Sequence, residues 1–178
     1  PSKRCSGYFG VRRFDRVPDA SGVARKVHMV SAGALLETSH RIPNLDYETL
    51  MRLTLKLTDS FEEVVRLYRL MCFNVLAGNR DDHAKNFSYL YDEDRADAVA
   101  CDDLTRNAGM NGEHATTVNG KGKGIGLDDL VSVGVKAGLS KSSARTIADE
   151  VRQATADGYK LSYHNLHDNP LYSQFNLY

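Results

Sequence analysis

The sequence predicts a single, mostly helical α+β domain, and three observations lead to this prediction. Its 178 residues, 42% of them apolar, are enough for one hydrophobic core. Apolar residues recur at helical spacing in several segments of the chain. Two short segments of β-forming residues flank an acidic turn near the middle. We therefore expect helices packed around one core, with a small hairpin attached.

The first elements are less regular than those that follow. Aromatic and β-branched residues predict a strand within Gly7–Val17, ended by Pro18, and a mixed segment covers Val27–Leu36. Pro43 and the residues after it open a predicted helix from Asp46 to about Leu57. Its apolar stripe is expected to face the core and consists of Leu50, Leu53 and Leu57.

A second helix is predicted from Ser60 to about Gly78. Ser60 and Glu63 have the S-x-x-E spacing of a capping box, in which each side chain bonds the other residue's backbone amide. Glycine at the far end is a common helix terminator. The apolar positions recur at helical spacing and are expected to be buried: Phe61, Val64, Val65, Tyr68, Met71, Val75 and Leu76.

A hairpin is predicted directly after this helix. Phe87–Tyr91 and Ala96–Ala100 are expected to be its strands, and Asp92–Arg95 its turn. This hairpin would bring Asp103 back toward Asn86, although the two residues are far apart along the chain.

The last third is expected to contain two more helices after a polar loop, Thr105–Gly126. The first covers Leu127 to about Ala137 and ends at Gly138, and the second covers Ser140 to about Ala156. The tail from Gly158 receives no assignment. The residues expected to pack on the core are Leu130, Val131, Ile147, Ala148 and Val151.

Composition excludes several classes of protein. The 23 basic and 23 acidic residues balance, so nothing global favours nucleic acid or an acidic membrane. Three cysteines without C-x-x-C spacing favour reduced thiols, and Cys72 is expected in the core. The longest apolar stretch, Leu70–Ala77, is far shorter than the roughly 20 residues of a membrane span. Without a recognisable signal peptide, we expect a cytoplasmic protein with no membrane partner.

The strongest functional pattern is a D-x-H-x-x-N array followed by an acidic pair. Asp81, His83 and Asn86 form the array, and Asp102 and Asp103 follow downstream. Metal-assisted phosphoryl transfer needs one carboxylate for the attacking hydroxyl, plus an amide oxygen and a second carboxylate for magnesium. Protein kinases separate their catalytic Asp and metal-binding Asn by the same number of residues. Loop-forming Asn and Asp could explain part of the pattern, but not its position between an apolar helix and a hairpin.

Two other interpretations compete with a kinase site. The segment Gly120–Gly126 could offer amides and lysines to a phosphate, although it lacks the order of a P-loop. Asp81, Asp82 and His83 could hold metal ions in a phosphohydrolase, for which His114 is the nearby additional ligand. Metal preference and nucleotide dependence would separate these interpretations.

The motifs resemble those of the HipA family of bacterial serine/threonine kinases, the toxins of toxin-antitoxin pairs. The central array is also similar to the D-R-H-x-x-N loop of lipid kinases. The matching segments are RRFDR at 12–16, HMVSA at 28–32, FNVLAGNRDDHAKNFS at 73–88, DDLT at 102–105 and HATTVNGKGK at 114–123.

The resemblance implies a role for each residue of the array. Asp81 would be the catalytic base, and Asn86 and Asp103 would bind Mg²⁺. His83 and Lys85 would lie against the phosphates of ATP.

The resemblance also implies a nucleotide-binding hinge formed by Arg12, Arg13 and Phe14. Asp102 stands where the family usually has Tyr just before its metal-binding Asp. This departure leaves the choice of ligand between Asp102 and Asp103, and the residues that follow favour Asp103.

By the same resemblance, residues 1–178 would be the C-terminal lobe of a protein-kinase-like fold, without the N-terminal lobe that carries a phosphate loop and lysine. We therefore expect an ATP- and Mg²⁺-dependent kinase whose isolated C-terminal lobe has little or no activity. The substrate would be a protein such as an aminoacyl-tRNA synthetase, and a helix-turn-helix antitoxin would mediate any DNA contact. The alternative without catalysis is a lobe that only binds the antitoxin.

Overall fold

The computed structural model of the protein describes residues 13, 15–18, 21–38, 45–91, 99–101 and 109–164. The helices are α1 (Ala32–Leu35), α2 (Tyr47–Thr58), α3 (Phe61–Ala77), α4 (Leu127–Lys136) and α5 (Lys141–His164), with a short 3₁₀ helix at Ala84–Asn86. The strands are β1 (Arg16–Pro18), β2 (Ala24–Lys26), β3 (His28–Ser31), β4 (Leu45–Asp46), β5 (Phe87–Tyr91), β6 (Val99–Cys101) and β7 (Thr116–Thr117).

Helix α3 is the centre of the helical core and is flanked by α2, α4 and α5. As predicted, the Ser60 side chain caps it by accepting from the Glu63 amide at 3.4 Å, and Gly78 ends it at φ 72°. The predicted reciprocal half of the capping box is wrong. Glu63 instead accepts from Arg66 at 2.6 Å, while the Ser60 amide donates to the Thr58 hydroxyl. Cys72 is fully buried, as expected.

The predicted burial of two apolar side chains is also wrong. Leu57 is 42% exposed and Phe61 is 45% exposed, because they occupy the last turn of α2 and the first turn of α3, at the edge of the core. The buried face of α2 ends one turn earlier and consists of Tyr47, Leu50, Met51 and Thr54. Helical spacing identified the buried face of each helix, but not the point along the helix at which the elements packed against that face end.

The predicted hairpin is present as β5 and β6, which pair antiparallel with Phe87 opposite Cys101. Strand β6 is described over Val99–Cys101, while the predicted turn Asp92–Arg95 and residues 96–98 of the predicted strand lie outside the described residues. Strand β3 pairs with the other edge of β5 and completes a three-stranded sheet in the order β3-β5-β6. The sheet continues directly from the 3₁₀ helix, so it supports the segment that carries Asn86.

The N-terminal part differs from the prediction where it is described. Strand β1 includes Pro18, which tolerates an edge position because it needs no ladder hydrogen bond there, and β1 pairs with β2. Most of the predicted strand Gly7–Val17 lies outside the described residues. The mixed segment Val27–Leu36 contains strand β3 and then helix α1.

The predicted loop Thr105–Gly126 contains a strand that periodicity did not reveal. Strand β7 pairs in parallel with β4, just before α2. Helix α4 and the Gly138 terminator agree with the prediction, whereas α5 extends to His164 rather than Ala156. The five residues expected to pack on the core are buried or partly buried. In the described part of the chain, no helix is both long and apolar enough to cross a membrane.

Candidate active site

The D-x-H-x-x-N array lies at a junction between the helical core and the sheet. Helix α3 ends at Gly78, residues 79–83 form a loop, and the 3₁₀ helix leads into β5. Ala84 is buried against Gly33 of α1, where an added Cβ would lie 3.5 Å from the Ala84 Cβ. We call residues 79–86 the catalytic loop after the role expected from their sequence. Packed elements thus hold both of its ends.

The three residues of the array, Asp81, His83 and Asn86, are partly exposed. The Asp81 side chain is 41% exposed, and its Oδ1 lies 3.7 Å from His83 Nε2. Asn86 Nδ2 donates to the Asp81 backbone oxygen at 2.6 Å. This bond orients the Asn86 amide so that Oδ1, the atom able to bind a cation, points away from the Asp81 carbonyl. The loop therefore joins Asn86 to the residue that carries the Asp81 carboxylate, and both residues are partly exposed.

Asp82 points in the opposite direction and is 1% exposed. Its Oδ2 accepts from the Tyr47 hydroxyl at 2.9 Å and lies 3.1 Å from His114 Nδ1. Its Oδ1 accepts from the Ala115 amide at 2.9 Å and the Thr116 amide at 3.3 Å. These four donors match the roughly four acceptor positions of a carboxylate.

The hydrogen bonds around Asp82 continue into α3. Asn74 Nδ2 donates to the Tyr47 hydroxyl oxygen at 2.8 Å, and Asn79 Nδ2 donates to Asn74 Oδ1 at 3.0 Å. All these side chains are buried. We call Asn74, Asn79, Tyr47, Asp82 and His114 the inner network, which joins the catalytic loop to α2, α3 and residues 114–116.

Several predicted site residues lie outside the described residues: Asp102, Asp103, Arg12 and Phe14. The strand before the acidic pair is described, and its last residue, Cys101, is opposite Phe87. Strand β6 therefore returns the chain to the end of the hairpin at which Asn86 lies. Lys85 is exposed in the 3₁₀ helix.

Arg13 lies at an open groove of about 530 Å³ at the other end of β3. The groove is lined by Arg13, Asp15, Arg16, Lys26, Val27, His28 and Met29. Arg13 donates twice to Asp15, through Nε and Nη2, both at 2.7 Å. The hydrogen bond from Arg13 lowers the pKa of Asp15 to about 2. The groove is rich in positive charge, and its arginines are ordered by a carboxylate.

The glycine-rich segment Gly120–Gly126 does not present its lysines as an open phosphate loop. Lys121 Nζ lies 2.7 Å from an Asp129 carboxylate oxygen, and Lys123 Nζ lies 3.2 Å from Glu113 Oε1. The Lys121 hydrogen bond is the main cause of a lowered pKa at Asp129. Asp129 also accepts from the Gly126 amide at the start of α4. These contacts give the segment a structural role at a helix N-terminus.

The inner network also weakens the phosphohydrolase interpretation. Asp82 and His114, two of its proposed metal ligands, bond to each other in the core and face away from Asp81. Within the described ranges, no group of three or more His, Cys, Asp and Glu side chains could hold a metal ion.

Sequence reasoning missed Tyr47, Asn74 and Thr116 as supports of the catalytic loop. One signal was available, because Asn74 interrupts the apolar residues of α3 and a buried amide needs partners. The bonded partners are far apart along the chain: Asn74 and Tyr47 are separated by 27 residues, and Tyr47 and Asp82 by 35. No local pattern connects them.

Comparison with known families decides the relationship. The model of the HipA-like C-terminal domain matches residues 2–159. The chain belongs to this family. The expected resemblance is thereby confirmed, and the mostly helical α+β fold is that of the HipA-like C-terminal region.

The relatives and a solved structure agree with this assignment. Over 92 residues, 47% of this chain, the domain is 34% identical to "Putative kinase Y4mE" of Sinorhizobium fredii strain NGR234. Over 151 residues, 80% of this chain, it is 27% identical to "Putative kinase Y4dM" of the same strain. The matches span only 21% and 35% of those relatives.

The structural match is a HipA, HipB and operator DNA complex of a Shewanella oneidensis MR-1 toxin-antitoxin system. It has a TM-score of 0.59 at 17% identity, and covers 90% of this HipA-like chain and 43% of the matched one. At this identity the match shows the fold.

Proposed function

We propose that this HipA-like domain is the C-terminal lobe of an ATP- and Mg²⁺-dependent serine/threonine protein kinase. The observation that carries the proposal is the catalytic loop, in which the partly exposed residues Asp81 and Asn86 are joined by a hydrogen bond from the Asn86 amide to the Asp81 carbonyl. Family membership and the names of the relatives, both kinases by name, support the same reaction class.

In this proposal a Ser or Thr hydroxyl of the protein substrate attacks the γ-phosphorus of ATP. A new P–O bond forms, the bond to the β–γ bridging oxygen breaks, and ADP leaves. The Asp81 carboxylate orients the hydroxyl and accepts its proton. Its partial exposure suits a group that must reach a substrate from solvent.

Asn86 and Asp103 would hold Mg²⁺, which neutralises charge on the phosphates when it is bound. The donor set fits, because an amide oxygen and a carboxylate are hard oxygen ligands and magnesium keeps other positions for water and phosphate. Asn86 is oriented for this role by its own hydrogen bond to the Asp81 carbonyl. Strand β6 leads the chain toward Asp103 from the same end of the hairpin.

ATP would extend along β3, from the groove at Arg13 to the catalytic loop. His28 in the groove is opposite Tyr91, and Tyr91 is four residues beyond Phe87 at the end of the loop. Four strand residues span about 13 Å, which suits an extended nucleoside triphosphate. The adenine would lie near residues 12–14, and His83 and Lys85 would contact phosphates.

The proposal includes an N-terminal lobe that supplies the phosphate loop and lysine, so the 178 residues alone would transfer phosphate poorly. Such electrostatic contacts are worth several kcal/mol of barrier. The partner would be a helix-turn-helix antitoxin, as in the HipA–HipB complex of the structural match, and DNA contact would pass through that antitoxin. The substrate would be a protein of translation, such as an aminoacyl-tRNA synthetase, in the cytoplasm.

The test is phosphoryl transfer by the complete protein, meaning this chain together with its N-terminal lobe. With γ-labelled ATP and Mg²⁺ we expect label on Ser or Thr, and loss of labelling with EDTA or in Asp103→Ala. Calorimetry should show Mg²⁺-dependent ATP binding by the complete protein and much weaker binding by the 178 residues.

Two results would contradict the proposal. Tight antitoxin binding by a complete protein that neither binds ATP nor transfers label would indicate a lobe that only binds. Metal binding and release of inorganic phosphate, with no nucleotide dependence, would favour the phosphohydrolase.

A further inference from the structure

We propose that Asp82 and His114 are positioning residues that set the direction of the Asp81 carboxylate. This inference rests on the kinase function proposed above. Asp81 and Asp82 are neighbours in a non-helical segment, yet the Asp81 side chain is 41% exposed and the Asp82 side chain is 0% exposed. Fixing one side chain in the core therefore constrains the side on which the other leaves the backbone.

The attachment of Asp82 is unusually complete for a loop residue. Its carboxylate accepts from the Tyr47 hydroxyl and from the backbone amides of Ala115 and Thr116, and it also pairs with His114. Its backbone oxygen accepts from the Thr116 hydroxyl. Side chain and backbone of one residue are thus both held, which fixes its orientation as well as its position.

The neighbouring backbone is held by the same segment. The Ala115 amide nitrogen lies 3.2 Å from the carbonyl oxygen of Arg80, the residue before Asp81. Asp81 itself is bonded through its carbonyl to Asn86 Nδ2. The residues on both sides of Asp81 are therefore attached to residues 115–116, and Asp81 is the residue between the two attachments.

His114 has a defined place in this arrangement. It is 6% exposed, and its Nδ1 faces Asp82 Oδ2 at 3.1 Å, so the ring donates to the carboxylate from Nδ1. The His114 amide also donates to the Gly122 oxygen at 2.7 Å, which keeps the segment folded on itself. Removing the ring would leave Asp82 with fewer donors and residues 114–116 less firmly attached.

A matched control exists on the other side of the same segment. Asp46 accepts from the Thr117 hydroxyl at 2.7 Å and from the Gly120 amide at 3.0 Å, and it caps α2 through the Glu48 amide. Asp46 thus also attaches residues 117–120 to the core, but these three bonds do not involve the catalytic loop. A purely structural role for Asp82 would make the two substitutions equivalent in kinetics once stability is matched.

The experiment compares Asp82→Asn with Asp46→Asn in the complete protein, at a temperature where both are folded. The amide introduced in Asp82→Asn would turn its NH₂ group toward protein donors. We therefore expect kcat to fall about 10- to 100-fold, with KM for ATP changed less than about twofold, because orientation rather than nucleotide binding is lost. Asp46→Asn should retain kcat within about twofold. Amide hydrogen exchange should accelerate at Ala115 and Thr116 in Asp82→Asn and not in Asp46→Asn.

A second pair of variants covers the case in which Asp82→Asn fails to fold. His114→Asn places an amide nitrogen near the position of Nδ1 and should retain most of kcat, whereas His114→Ala should lose about 10-fold. Equal kcat in His114→Asn and His114→Ala would overturn the inference. So would a kcat in Asp82→Asn equal to that of Asp46→Asn.

The two proposals fail in different ways. If Asp81→Asn abolishes transfer but Asp82→Asn and His114→Ala keep wild-type kcat, only the positioning role is wrong. If Asp81→Asn keeps full activity, the kinase assignment is wrong and the positioning role falls with it.

Discussion

The two faces of the catalytic loop carry the same chemical group in opposite environments. Asp81 faces solvent, whereas Asp82 is buried and its carboxylate meets four protein donors. A buried carboxylate is tolerated only when its acceptor positions are filled, and a reactive one must keep an acceptor position for its substrate. The pair shows how adjacent identical residues divide into a buried support and a partly exposed carboxylate, for which we propose the catalytic role.

The largest effect should come from the outer face. Asp81→Asn in the complete protein should lower kcat by on the order of 10²- to 10⁴-fold, because the amide cannot accept the substrate proton. Because Asp81 is partly exposed, stability should change by less than about 0.5 kcal/mol. Steady-state phosphorylation and urea unfolding measure the two quantities. Asp128→Asn, an exposed carboxylate in α4, is the control. If Asp81→Asn lost as much free energy of unfolding as a substitution in the core, the distinction between the two faces would be wrong.

On the inner face, by contrast, a substitution should cause a large loss of stability. Asp82→Asn should lower the free energy of unfolding by about 2–4 kcal/mol, since it sets an amide donor against buried donors. Urea unfolding of the 178-residue chain measures this value, with Asp81→Asn as the matched variant one residue away. Equal midpoints for the two variants would show that the buried hydrogen bonds add nothing to stability.

A smaller effect is expected one bond further from the loop. Tyr47→Phe removes a hydroxyl that donates to Asp82 and accepts from Asn74, both in the core. We expect a loss of about 1–2 kcal/mol in the free energy of unfolding. Tyr91→Phe is the control, because Tyr91 is 59% exposed at the end of β5. Identical thermal midpoints for these two variants would show that the hydrogen bonds of the Tyr47 hydroxyl do not stabilise the fold.

The smallest effect should lie away from the catalytic loop, at α4. The hydrogen bond from Lys121 lowers the pKa of Asp129 in the folded protein, so the carboxylate stabilises the fold above its unfolded pKa. This contribution is lost as the pH falls below roughly 4 and through the lower folded value. Wild-type and Asp129→Asn chains should therefore differ most near neutral pH and converge in acid, as urea titrations at several pH values would show. A difference that grows in acid would contradict this sign.

Much of the fold was accessible from local patterns. Ser60 and Gly78 marked both ends of α3 because capping depends on neighbouring residues, and the α4 terminator Gly138 followed from the same rule. The hairpin was predicted from strand propensity and an acidic turn. Strand β7 was missed because two residues give no periodicity, and its partner β4 lies about seventy residues earlier.

The candidate site divides in the same way. The roles of Asp81 and Asn86 were inferred from residue type and spacing, which are visible in the sequence because both residues lie in one short loop. Both roles remain proposals. The opposite orientation of Asp82 was not foreseen, and the sequence alone allowed it to be a metal ligand beside Asp81. Phe61 and Leu57 were wrongly placed in the core for a related reason. Helical spacing shows which face of a helix is apolar, but not which other elements pack against it.

The sequence by itself predicted the family, the order of the main helices, the hairpin and a set of candidate site residues, because each is recognised from residues that lie close together along the chain. The tertiary structure alone decided which of two adjacent aspartates is buried. That choice depends on Tyr47, His114 and residues 115–116, which meet Asp82 only after α2 and the segment at β7 have packed together. A carboxylate becomes a support when distant donors surround it, and no local rule specifies donors that far along the chain.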